Sequence, residues 1–274
     1  MIKNDFSTID PEQLIKFYPE LQKYITISII EEKYAVIHEQ IKDDALFPRL
    51  WGYIVIASRN HAAYPRIHHS APHFESDGDV TNESAVIFEQ TKGRSLIIAG
   101  ASRYAVIGKP LNPCQKSDAL ADAAHNDQTM FHTFNLAVYN ASKIVAVYEN
   151  RHFKDYFIQW HGMSEKSCTA SPVFLSVGAS GKNPIYQKSN LAANKLAENY
   201  GSSAHTPFDD NNCNLAATTN IFGRIINGVN YGDECFKLPE TDSVNGYFIH
   251  IEQKREARCD RKKWITALNA TFYT

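Results

Sequence analysis

The stretch Tyr64-Pro-Arg-Ile-His-His-Ser-Ala-Pro-His-Phe-Glu-Ser-Asp-Gly-Asp-Val-Thr-Asn-Glu-Ser-Ala-Val-Ile-Phe-Glu89 joins a strand to a helix through a polar knot. Arg66 to His69 reads as the strand. Val80 to Thr91 reads as the helix, with Ala85, Phe88 and Val86 turned inward. Between them lie histidines and carboxylates in close succession. If the chain is extended after Pro72, alternation places His73, Glu75, Asp77 and Asp79 on one side. Imidazoles and carboxylates converging there are the donors a hard or borderline divalent metal requires. A solvated loop with hydrogen-bonded histidines is the alternative.

The neighbouring segments repeat the pattern. Upstream, Leu50 to Ala57 is short, apolar and β-branched, as a buried strand is; downstream, Arg94 to Gly100 is apolar throughout, as strands covered on both faces are. The polar span Gly108 to Asp127 reads as a functional loop. Gln128 to Tyr148 is the strongest helix, with an apolar stripe through Phe131, Phe134, Val138, Ala141, Val145 and Tyr148. Asp155 to Gly162 is a strand with Phe157, Gln159 and His161 on one face and Tyr156, Ile158 and Trp160 on the other. Val173 to Val177 and Tyr247 to Glu252 are further strands, the latter with Phe248, His250 and Glu252 on one side. Helices follow at Ser189 to Tyr200 and Arg255 to Ala270, while Ala216 to Val229 divides between strand and loop. Strands alternating with amphipathic helices predict one α/β domain over residues 1–274. Its sheet is expected to be mixed and mostly parallel, with helices on both faces. Residues 1–45 are expected as a helical extension packed on it, including a helix over Ser7 to Tyr24.

In such sheets ligands bind beyond the carboxyl ends of the strands. His69, His73, Arg103, His161 and Glu252 all fall there. Glu252 ends an apolar strand, where an unpaired carboxylate is costly to bury. It pairs with Arg255 or Lys254 at the surface, or stands at a cleft as a general base. Arg103 makes a structural ion pair or grips a substrate carboxylate.

This order resembles the zinc carboxypeptidase-like hydrolases, in the broad sense that includes N-formylglutamate amidohydrolases and phage polyglutamate hydrolases. It has an early His/acid cluster, an arginine after the next strand, a histidine ending a middle strand and a late glutamate. The resemblance spans about residues 65 to 255. It implies that His73, Glu75 and His161 bind zinc, that Glu252 is the base, and that Arg103 holds an anion. The family spacing is His-x-x-Glu, whereas here Pro72-His73-Phe74-Glu75 gives His-x-Glu, so Asp77, or His69 in place of His73, stays open as a ligand. Arg224 is a second candidate for anion binding. Asp122-Ala-Ala-His125 lies outside the family pattern, and His125 is a candidate substrate contact or proton donor.

The implied activity is zinc-assisted cleavage of an amide in a carboxylate-bearing substrate: a peptide, an acyl-amino acid or a cell-wall fragment. A metal-dependent phosphoesterase and a non-catalytic ligand-binding protein are the alternatives. A net charge of −2 and the lack of a basic stripe speak against nucleic acid as partner. No window reaches membrane-spanning length, and the first residues lack a signal peptide's basic start and apolar core. The cytoplasm is therefore the default compartment, with export as the alternative. Five scattered cysteines suit either two disulfides and a free thiol or five reduced thiols.

Overall fold

The structure is a computed structural model and describes residues 16–41 and 47–273. Its strands are β1 (Ile25–Ile30), β2 (Tyr34–Glu39), β3 (Tyr53–Ala57), β4 (Tyr64–Ala71), β5 (Gly93–Ile98), β6 (Tyr156–Gly162), β7 (Val173–Ser176), β8 (Ala204–His205) and β9 (Phe248–Gln253). Its helices, in chain order, are α1 (Val80–Thr91), α2 (Met130–Tyr148), α3 (Ala192–Tyr200), α4 (Ile221–Ile226), α5 (Arg255–Cys259) and α6 (Arg261–Phe272). The nine strands form one sheet in the order β1-β2-β3-β5-β4-β6-β9-β7-β8. The inner four, β5, β4, β6 and β9, run parallel. Antiparallel strands flank them: β1 to β3 on one side and β7 on the other. The fold is thus mixed α/β, with a parallel centre flanked by antiparallel pairings and a short parallel pair, β7 and β8, at one edge.

Alternation along the strands supplies both cores. Ile158 and Trp160 of β6 face a layer built from α1, α3 and α6, where Trp264 is fully buried. Phe157 and Phe248 face the other layer, built from α2 and α4. Helices therefore cover both faces.

Several local expectations are revised. Residues 25–39, expected within a helical extension, form the β1–β2 hairpin. Half of the helix expected over Ser7 to Tyr24 lies outside the described residues, and residues 17–24 contain turns. In α1 the buried apolar residues are Val80, Ile87 and Phe88; Ala85 packs against the same core, and Val86 is only partly buried. Toward the end of α2 the buried stripe passes through Ser142 and Ala146, leaving Tyr148 exposed. The segment left between strand and loop contains α4, started by Asn220, whose side chain accepts from the Gly223 N–H. The last helix is split at Asp260, which leaves helical geometry and then caps α6 by accepting from the Lys263 N–H.

Candidate metal centre

His73 follows β4, Arg103 follows β5, His161 lies in the last turn of pleat of β6 and Glu252 near the end of β9, so all four stand at the carboxyl ends of the parallel strands. The chain after Pro72 is not extended. It folds into a turn in which the Asp77 N–H meets the His73 carbonyl at 3.4 Å, and Glu75 takes a left-handed φ of 59°. The turn brings Asp77 back beside His73 and leaves Glu75 pointing to solvent. Asp79 is likewise outside and pairs with Arg261. The expected alternation fails here because a turn, unlike a strand, places residues four apart on one side.

The ligating atoms form a triangle. His73 Nδ1 lies 2.9 Å from Asp77 Oδ2, His161 Nδ1 lies 3.2 Å from His73 Nδ1, and His161 Nδ1 lies 3.6 Å from Asp77 Oδ2. A tetrahedral zinc with bonds of about 2.0–2.1 Å needs donor atoms about 3.3–3.4 Å apart, so these edges fit one face of such a polyhedron. Each imidazole is also held from behind. His73 Nε2 lies 3.0 Å from Asp122 Oδ1, and His161 Nε2 lies 2.9 Å from Gln159 Oε1. Both acceptors leave the inward nitrogens free to ligate, as outer partners of metal-bound histidines do. The Gly162 N–H donates to Asp77 Oδ2 at 3.0 Å. A Cβ at Gly162 would come within 2.5 Å of the Asp77 carbonyl oxygen, so glycine is what lets the turn seat against β6.

Glu252 sits beside His161 in the β6–β9 register. Its carboxylate, with His161 and His250, forms a second group of potential ligands sharing His161. His250 Nε2 lies 3.6 Å from Glu252 Oε1. Arg103 forms an ion pair with Asp122, and its Nη1 lies 3.4 Å from His73 Nδ1. Ser76 Oγ ties the arginine's loop to the turn by accepting from the Arg103 N–H at 3.0 Å. His125 Nδ1 lies 3.2 Å from Asp122 Oδ1, and its Nε2 lies 3.0 Å from Thr219 Oγ1. Arg103, His125 and Glu252 reach solvent in part, whereas His73, Asp77 and His161 are buried.

Burial opposes a charge on His73, but hydrogen bonds to Asp122 and Asp77 outweigh it and raise the pKa to about 9. The opposite holds for His161, where burial wins over Asp77 and pulls it down to about 4. Burial also tends to raise Asp77 and Asp122. Hydrogen bonds from His161 and His73 to the former, and from His125 and His73 to the latter, reverse this and hold both below the usual carboxylate range. Burial, then the charge of Asp77, pushes Glu252 up to about 8.

Two expected site residues are placed elsewhere. His69 points to the opposite face of the sheet, where Trp160 Nε1 donates to its Nδ1 at 3.1 Å, so it cannot replace His73. Arg224 is buried in α4 and donates to the carbonyls of Thr218 at 2.9 Å and Glu234 at 2.7 Å, where it acts as a structural brace. Asp122 and Gln159 join as the outer holders. Gln159 was visible as the same-face neighbour of His161, but nothing in the spacing of Asp122 pointed to His73.

No protein-family model matches the chain, and a search of curated proteins finds no match. Among solved structures, succinylglutamate desuccinalase from Vibrio parahaemolyticus aligns over 90% of this chain and 76% of its own, at 10% identity and a TM-score of 0.42. A protein provisionally assigned as a metallopeptidase from Shewanella amazonensis aligns over 95% and 91%, at 10% identity and a TM-score of 0.37. One provisionally assigned as a carboxypeptidase A from Shewanella denitrificans aligns over 94% and 67%, at 12% identity and a TM-score of 0.37. Values this low add no weight to the site, which stands on its own geometry.

Proposed function

We propose that the chain is a zinc-dependent hydrolase that cleaves an amide bond in a carboxylate-bearing substrate, such as a peptide, an acyl-amino acid or a cell-wall fragment. The observation that carries this reading is the triangle of His73 Nδ1, Asp77 Oδ2 and His161 Nδ1, with both outer imidazole nitrogens held. Two imidazoles and one carboxylate are the donor set of a catalytic zinc with a position left open. When bound, the metal supplies Lewis acidity and a water acidified to near neutral pH.

The chain's own residues do the rest. Asp122 and Gln159 fix the tautomers of His73 and His161, and Asp77 is oriented by the Gly162 N–H. Glu252, partly exposed beside His161, accepts the proton of the attacking water and returns it to the leaving amine. Arg103 lies at the partly exposed mouth and offers N–H groups to the carbonyl oxygen or to a substrate carboxylate. His125 borders the same opening and contacts the departing part of the substrate.

The test is metal content and turnover on the same preparation. Protein purified without chelators is expected to hold about one zinc per chain, and to hydrolyse members of a panel of N-acyl-amino acids. Glu252→Gln should keep the metal and lower turnover by about 10²–10⁴. Wild-type protein free of metal would instead favour a ligand-binding role, and unchanged turnover in the variant would remove Glu252 as the base.

A further inference from the structure

At the opposite end of the sheet from this centre, a cavity of about 610 Å³ opens beside the amino-terminal ends of β4 and β5 and the residues leading into β6. Four arginines line it, Arg59, Arg66, Arg94 and Arg151, against two carboxylates, Glu149 and Asp155. Those carboxylates are already committed. Arg151 contacts both at 2.9 Å, and Arg59 lies 3.6 Å from Glu149. Arg66 is exposed and makes no ion pair among the described residues.

Arg94 is the unusual member. It is 1% exposed, donates from Nη1 to the Ala57 carbonyl at 2.7 Å, and leaves Nη2 without a partner. No carboxylate pairs with it among the described residues. A guanidinium out of water without an anion is costly, and burial, then the charge of Arg59, draws its pKa down to about 10. The lining carries a surplus of two positive charges, borne by Arg94 and Arg66.

We propose that this cavity binds a phosphate-type dianion, either free phosphate or the phosphate group of a small phosphomonoester. A dianion matches the surplus, and its several oxygens can accept from guanidinium groups arriving from different strands, which a carboxylate with one charge and two oxygens does less completely. The cavity exceeds one phosphate ion and leaves room for a small organic group. The site is independent of the metal centre.

The test is titration of the full chain with inorganic phosphate, followed by calorimetry and melting temperature, with glycerol phosphate and acetate alongside. One saturating site is expected, weakened by about tenfold or more in Arg66→Ser, the loss of a charge-assisted hydrogen bond, and unchanged in Arg103→Ser. Arg94→Gln should abolish binding; where it fails to fold, the exposed Arg66 carries the test. Tighter binding of glycerol phosphate than of phosphate identifies the ester as the ligand, and the reverse identifies the free ion. Absence of saturable binding, indifference to Arg66→Ser, loss in Arg103→Ser, or acetate binding as tightly as phosphate would each overturn the proposal.

Discussion

At the scale of single residues, the centre depends on one missing side chain. Gly162 lets the His73–Asp77 turn press against the end of β6 and donates to the Asp77 carboxylate. Gly162→Ala should push the turn away, by the overlap of its Cβ with the Asp77 carbonyl oxygen. Metal affinity should fall by about 10–100-fold, as when the outer support of a ligand is lost. A competition titration against a chromogenic chelator measures this, and unaltered affinity would show that the turn is not held by that contact. The gathering of His73, Arg103, His161 and Glu252 at one end of the sheet was legible in the sequence because each ends or follows a strand. The choice between Glu75 and Asp77 was not. It depends on a left-handed backbone at Glu75, which no side-chain pattern announces. Arg224 was misplaced for a related reason: a short helix capped by Asn220 resembles a loop when only its residues are read.

At the scale of elements, the two faces of β4 explain why adjacent histidines have different fates. His68 stacks on Phe157 beneath α2, and His69 lies against Trp160 on the other face. Burial, then the nearby His68, holds His69 down at about 3, against about 6.5 in the unfolded chain. A depressed histidine stabilises the fold fully above pH 6.5 and loses that contribution as pH falls toward its folded value. The loss is about 1.4 kcal/mol per pH unit in that window. Urea unfolding at pH 7 and pH 5 should show it, and His69→Gln, whose amide oxygen can still accept from Trp160, should flatten the difference by about 2 kcal/mol. An equal acid loss in wild type and variant would assign it to other groups. Strand and helix periodicities located most elements well, since the central strands and α1 are buried as their patterns require. The β1–β2 hairpin escaped notice because most of its residues are only partly buried, so alternation there is weak. The edge of the sheet was therefore less legible than its centre.

At the scale of the whole molecule, residues far apart in the chain are tied together at few points. Cys114 pairs with Cys235 and Cys168 with Cys213, while Cys259 is free and exposed. The first bond anchors the polar 108–127 span, which also carries Asp122, to the segment after α4. Two disulfides suit an oxidising environment. A metal held at the proposed centre would be a third tie, since His73, Asp77 and His161 come from two segments of the sheet. Removing the metal should lower the melting temperature. Saturation at about 1,000 times the dissociation constant corresponds to about 4 kcal/mol of stabilisation. A melting temperature unaffected by chelation, in protein shown to have held zinc, would mean that the three ligands are equally well braced without it.

The position of β9 has a consequence for the order of assembly. It is the last in sequence of the described strands, yet it lies between β6 and β7. As the polypeptide emerges from the ribosome, the sheet can only exist as two separate pieces, each with a bare edge able to pair with another chain. The strand that closes this gap also delivers Glu252. The proposed base and the protection of both bare edges therefore arrive in the same event.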